Sequence, residues 1–173
     1  MTNKKLHNHD DHYDYLSSKR FESIVASLWP VAMKSPHNSK HAASLFRGGS
    51  TLIYPSCNEP RTCYGGHVNK CSGHAEFMTC WRRKPSDTKK YNIIVIRISR
   101  DPKNLDDWIL TESRPCNDCI TNMKNNQIDR VFYSTWEGRI KCERVKDMEF
   151  RHQSRGFKNM NLKINNPNPD VNF

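Results

Sequence analysis

Two short segments of this chain hold residues whose types and spacing can do chemistry: Gly73-His74-Ala75-Glu76 and Pro115-Cys116-Asn117-Asp118-Cys119. Cys116 and Cys119 stand three apart, and on a helix that spacing puts both sulfurs on one side, able to grip one ion. A helix N-terminus carries positive partial charge and free N–H groups, which favour thiolate over thiol. His74 adds a nitrogen from the start of another helix. Three protein ligands leave the fourth tetrahedral position for water, and that open position separates a catalytic zinc from a structural one. Zinc lowers the pKa of its water to about 7, so hydroxide is available at neutral pH. Glu76 then stands where a carboxylate can carry protons between that water and a substrate.

Neither segment is decisive alone. A C-x-x-C pair also serves redox proteins and zinc ribbons. An acid in a helix's first turn is favoured by the dipole whether or not it does chemistry. The two together, with Gly before the His, Pro before the first Cys and 42 positions from His74 to Cys116, form a much more specific pattern.

The elements that must position these residues follow from periodicity. Phe21, Ile24, Val25, Leu28 and Trp29 form one apolar helical face over Arg20 to Met33, with Ser17 or Ser18 as cap and Pro30 near the end. Ala42 to Tyr54 reads as a hairpin turning at Gly48-Gly49, since glycine supplies the positive φ of a tight turn. Pro55 to Gly73 is a long loop, and long loops inside a domain are usually functional. A helix runs from His74 roughly to Lys84. Ile93-Ile94-Val95-Ile96-Arg97-Ile98 is a β-branched run of strand length within Tyr91 to Ser99. Asp101 to Leu110 reads as a connection. Pro115 suits the first position of a helix over Cys116 to Asn126. Val131 to Thr135 and Ile140 to Val145, joined by Trp136-Glu137-Gly138-Arg139, must pair antiparallel because the link is short. The order α-β-β-α-β-α-β-β predicts one α/β domain on a mixed sheet.

Composition bounds the function classes. The chain has 173 residues, enough for one core and too few for two good ones. No apolar run approaches the ~20 residues of a membrane span. Met1 to Asp14 has no apolar stretch of the signal-peptide kind. With seven Cys, an odd number, a closed disulfide framework is disfavoured. These features predict an intracellular protein, cytoplasmic or nuclear and not secreted. The net charge of +10 points toward anionic partners. Arg82, Arg83, Lys84, Lys89, Lys90, Arg97, Arg100 and Lys103, against Asp87 and Asp101, give one stretch +6 of that total. That stretch reads equally as a phosphate-binding patch and as a solvated face. Residues 1–18, rich in His and Asp, read as a flexible arm, 19–150 as the domain, and 151–173, basic and Asn-rich, as a disordered tail.

The H-x-E and P-C-x-x-C segments resemble the signature of the cytidine deaminase-like superfamily, in particular its CMP/dCMP-type zinc-dependent deaminase domain. The resemblance covers roughly Arg20 to Asp147. It implies a three-layer α/β fold with a five-stranded mixed sheet, an antiparallel final strand pair and zinc held between two helices. It implies Zn2+ on His74, Cys116 and Cys119, hydroxide attack at C4 of a cytosine-type base, and Glu76 as proton shuttle. The substrate is then a cytidine or deoxycytidine nucleoside or nucleotide, or a base in single-stranded nucleic acid; adenine and guanine stay open. Asn58 matches the family position that contacts the sugar, and the Ala75 backbone the position beside the base. Ser113 and Arg114 occupy the substrate-facing stretch before Pro115, and there the chain departs from the family: Glu112-Ser113-Arg114 is neither the Ser-Trp-Ser of nucleic-acid editors nor the Glu usual in tRNA adenosine deaminases. Arg114 reads as a phosphate contact or as a solvated loop residue. The antiparallel ending is similar to free-nucleoside deaminases and several bacterial toxin deaminases, not to the dCMP branch. Homo-oligomers are common in the family, and no feature here fixes one.

Three further readings stand beside this one. Cys57, Cys63, Cys71 and His67 form the set for a second, structural zinc, although their spacing matches no C-x-x-C knuckle. The same Cys and His, with Cys63 or Cys71 as fourth ligand, make a non-catalytic structural-zinc nucleic-acid-binding module in which Glu76 is incidental. A redox role for Cys116 and Cys119 leaves His74 and Glu76 unexplained. Cys80 and Cys142 read as small buried hydrophobes.

Overall fold

The computed structural model describes residues 18–47, 51–60, 72–84, 87 and 89–153. In chain order the elements are α1 (Ser18–Met33), β1 (Lys40–Phe46), β2 (Leu52–Cys57), β3 (Glu59–Pro60), β4 (Ser72–Gly73), α2 (Ala75–Trp81), β5 (Asn92–Arg100), β6 (Trp108–Thr111), α3 (Asn117–Asn125), β7 (Arg130–Ser134) and β8 (Ile140–Arg144), with a 3-10 turn over Val145–Asp147. The main sheet runs β2-β1-β5-β7-β8, and β6 adds to β5. Among the described residues only β5 and β7 pair in parallel; β7 and β8 close the sheet antiparallel, as the short link requires. Gly138, at φ +71, makes that link, its N–H donating to the Thr135 carbonyl.

Side-chain alternation on β5 explains the layers. Ile94, Ile96 and Ile98 face one way and pack with Ile24, Leu28 and Ala32 of α1. Ile93 and Val95 face the other way and pack with Ala75 and Cys80 of α2 and Ile120 and Met123 of α3. A helix on one face and two on the other make three layers, the architecture the resemblance implies. Cys80 and Cys142 lie in the two cores, as expected.

Several details differ from the sequence reading. Residues 108–110, expected within a connection, form with Thr111 the strand β6, which exists by pairing with the far end of β5, Arg97 opposite Thr111. The two-residue strands β3 and β4 pair across the stretch read as a long loop. Pro30 lies inside α1 at an exposed position, and the helix ends three residues later. In β2 the register slips beside Ser44, with Tyr54 at φ 55; β2 is an edge strand, where Pro55 costs no ladder bond. The N-terminal arm, the Gly48-Gly49 turn, the Phe21 side chain, Cys63, His67, Cys71 and the tail from 154 onward lie outside the described residues.

Candidate metal centre and substrate cleft

The two helix starts carry the chemistry. His74 is the N-cap of α2 and Cys116 the N-cap of α3, both with extended backbone and without a side-chain capping bond. Their carbonyls accept the first helical bonds, from Met78 N–H and Ile120 N–H. Their side chains turn toward each other instead. His74 Nδ1 lies 3.4 Å from Cys116 Sγ and 3.3 Å from Cys119 Sγ. Cys119, one turn into α3, is on the same side, as the three-residue spacing demands. Among the described residues these three form the group able to hold a metal.

The donor set fits zinc. At usual bond lengths of about 2.0 Å to nitrogen and 2.3 Å to sulfur, tetrahedral N–S edges are ~3.5 Å, close to the spacings found. The electrostatics point the same way. A hydrogen bond from Cys119 and the facing His74 drive the Cys116 thiol well below its ordinary range. The same bond and burial push Cys119 up. The Cys116 sulfur raises His74. These shifts favour a thiolate at Cys116, the form a metal requires.

Glu76, in the first turn of α2, is buried at 5% exposure. Burial pushes its carboxyl above the ordinary range, His74 opposing. A carboxyl raised in this way holds a proton more readily than an exposed one, which suits a group that must take and then give one. Thr79 anchors this helix, its hydroxyl 3.0 Å from the Ala43 carbonyl.

An open cleft of about 730 Å³ lies above these groups. Its volume lies within the usual ~300–1,000 Å³ of small-molecule sites. Its walls include His74, Glu76, Cys116, Asn58, Ser113 and Arg114. The cleft opens where β6 and β7 divide the edge of β5, β7 pairing at Ile93 to Val95 and β6 from Arg97 onward. Asn58 is buried and clamps its surroundings: Oδ1 accepts from His41 N–H at 2.8 Å and Nδ2 donates to the Ser39 carbonyl at 3.0 Å. One amide hydrogen stays over for a ligand. Ser113 is occupied internally, its hydroxyl donating to the Val95 carbonyl and accepting from Ser134 N–H. Ala75 is fully buried between His74 and Glu76. Arg114 is no solvated loop residue, since its side chain is only 7% exposed. Cys57 is half-buried and outside the metal group.

The sequence reading missed His41 and Arg97 as cleft residues. They face each other across β1 and β5 and both line the cleft. The available signal was Arg97 itself, a charge inside an isoleucine-rich strand, on the same face as Ile93 and Val95. Burial and the Arg97 charge hold His41 down at about 4, so its ring is neutral at pH 7. The basic stretch 82–103 does not act as one patch. Arg97 enters the cleft, Arg83 braces the turn before β5 by donating to the carbonyls of Asn126, Asp87 and Lys89, and Arg100 stacks 4.4 Å over Trp108. No helix among the described residues is long and apolar enough to cross a membrane.

No family model matches the sequence, and no curated protein matches it. Solved structures do resemble the fold. A dCMP deaminase from the cyanophage S-TIM5, in apo form, aligns over 70% of this chain and 86% of its own at 17% identity, with a TM-score of 0.47. A cytidine deaminase from Burkholderia pseudomallei aligns over 73% and 93% at 15% identity, TM-score 0.48. The same cyanophage enzyme in complex with dCMP and dUMP aligns over 70% and 85% at 13% identity, TM-score 0.48.

Proposed function

We propose that this protein is a zinc-dependent hydrolytic deaminase acting on a cytosine-type base. The observation that carries the reading is the convergence of His74 Nδ1, Cys116 Sγ and Cys119 Sγ within 3.3 to 3.4 Å contacts, beside the buried Glu76, on an open cleft. A redox pair needs neither the imidazole nor the acid.

A zinc ion on His74, Cys116 and Cys119 supplies a water of lowered pKa and Lewis-acid polarisation. The chain's own groups do the rest. Glu76 accepts a proton from the attacking water, delivers it to the ring nitrogen beside C4, and passes the second proton to the exocyclic amine. Water adds to C4, the C–N bond breaks, and the products are the uracil-type base and ammonia. Burial of Glu76 suits this role because it raises the carboxyl's hold on a proton. Asn58 orients the sugar with its remaining amide hydrogen. The buried Ala75 backbone faces the base. Ser113 fixes the wall before Pro115.

The test is ammonia release by zinc-quantified protein offered cytidine, deoxycytidine, CMP, dCMP and single-stranded DNA and RNA. Turnover that Glu76→Ala abolishes while zinc stays bound supports the reading. Bound zinc with no turnover on any of them, and no effect of Glu76→Ala on any property, moves the weight to a structural-zinc module.

A further inference from the structure

The cleft holds more cationic donors than deamination uses. Arg114 Nη2 donates to the Glu149 carbonyl at 2.9 Å and lies 3.8 Å from the Glu143 carboxylate. Its Nε and Nη1 are buried and have no partner among the described residues. Arg97 lines the same cleft, and its Nε is likewise buried without a partner among the described residues. Buried polar groups are nearly always hydrogen-bonded, and a buried charged donor without an acceptor is especially costly. Two such donors in one cleft point to an anion that completes them. The flat guanidinium fork matches phosphate oxygens in particular.

The surrounding structure holds both arginines in place. Arg97 N–H donates to Ser134 Oγ at 3.1 Å, and Ser134 N–H donates to Ser113 Oγ at 2.9 Å, so one serine pair ties the backbone of Arg97 to the residue preceding Arg114. The segment after β8 straps back over α3: Asn117 N–H donates to the His152 carbonyl, and His152 N–H to Asn117 Oδ1. That strap supplies the Glu149 carbonyl to Arg114 and brings Arg151 and His152 to the cleft. The acid that pairs with Arg114, Glu143, is shared with other groups. Glu143 binds Lys141 at 3.2 Å and accepts from the Tyr133 hydroxyl. Burial raises the Glu112 carboxyl above its ordinary range, the Arg114 backbone opposing.

We infer that Arg97 and Arg114 form a subsite for a phosphate group of the substrate. The base is then presented as a nucleotide or within a strand, not as a free nucleoside. This inference rests on the deaminase reading and narrows it.

The experiment uses the full zinc-loaded chain. First, calorimetric titration and the NMR signals of the arginine Nε–H groups follow addition of inorganic phosphate, deoxycytidine and dCMP. Second, kcat/KM is compared for deoxycytidine, dCMP and an oligonucleotide with one internal cytosine. The expected result is phosphate-induced shifts at arginine Nε–H signals that Arg97→Gln and Arg114→Lys remove, and a phosphorylated substrate favoured at least about tenfold, the scale of one charge-assisted contact. Each variant should shrink that ratio through KM, while Lys103→Gln, which removes an exposed charge elsewhere, leaves it. Preference for dCMP identifies a phosphomonoester, preference for the oligonucleotide a phosphodiester. Equal use of deoxycytidine and phosphorylated substrates by the native chain overturns the subsite and leaves the deaminase. Phosphate binding at these arginines without any deamination keeps the subsite and overturns the deaminase. No arginine response to phosphate or dCMP overturns the subsite even if the variants fail to fold.

Discussion

His74 Nδ1 and Cys116 Sγ lie 3.4 Å apart, and each residue is the N-cap of its own helix. Two helix starts therefore meet through the side chains that would otherwise cap them. Neither cap bonds its own helix, so the first-turn N–H groups of both point toward a cluster that carries negative charge on sulfur. The arrangement gathers three donors that one cation can share.

Removing the metal should thus loosen the packing of α2 against α3. At free zinc about a thousandfold above its dissociation constant, binding adds ~4 kcal/mol to the folded state. For a domain of this size that is a Tm drop on the order of 10 °C on chelation. His74→Ala and Cys116→Ser should each leave the protein with far less than one zinc per chain after dialysis and with the melting temperature of the chelated form. Elemental analysis and scanning calorimetry read both. A Tm indifferent to chelator, with full zinc in both variants, would remove the metal from this cluster.

Glu76→Gln tests the proton carrier. The native carboxyl is buried and raised, so its charged form costs folding energy. The amide keeps the shape and drops the charge. Zinc content should hold and Tm should stay level or rise, while turnover falls ~10²- to 10⁴-fold, the usual contribution of a positioned acid–base group. A variant that loses zinc and stability together would mark Glu76 as structural.

The ligand residues were legible in the sequence because their spacing is local: three positions on α3 and two across the start of α2. So was the antiparallel end, because a link from Ser134 to Ile140 leaves no room for a crossover. β6 was not legible, since Trp108 to Thr111 is a strand only because β5 extends past the end of β7 to meet it. The burial of Arg114 was equally hidden: its partners Glu143 and Glu149 arrive from the far end of the domain. His41 looked like any residue of a β-strand until β5 placed Arg97 opposite it.

That opposition gives a pH prediction. His41 titrates near 6.5 unfolded and about 4 folded, because burial and Arg97 disfavour its cation, with His74 and His37 adding to this and the Ser39 backbone opposing. A lowered folded value means stability is complete above 6.5 and declines as pH falls through 4. At full burial the difference amounts to ~3 kcal/mol, and less for a ring that keeps some solvent contact. Urea midpoints at pH 7 and 4.5 should show the native protein losing more stability than His41→Asn, measured with zinc-free samples of both. Equal losses would show that His41 titrates freely.

Asn58→Ala should cost stability and substrate affinity together, and the two can be separated. The change strands the His41 N–H and the Ser39 carbonyl, which the amide now satisfies at 2.8 and 3.0 Å. Leaving buried backbone groups unpaired costs about 1–3 kcal/mol each way it is counted, so a Tm drop of several degrees is expected. Asn58→Asp keeps the acceptor for His41 N–H but turns the donor to the Ser39 carbonyl into a repelling oxygen. It also loses the remaining amide hydrogen, the one proposed to meet the sugar. If Asn58 only clamps the loop, a KM loss will follow the Tm loss across both variants and vanish at low temperature, where both are folded. If it also holds the sugar, KM stays raised at 10 °C in both, with zinc content unchanged. A native KM in either folded variant would confine Asn58 to the clamp.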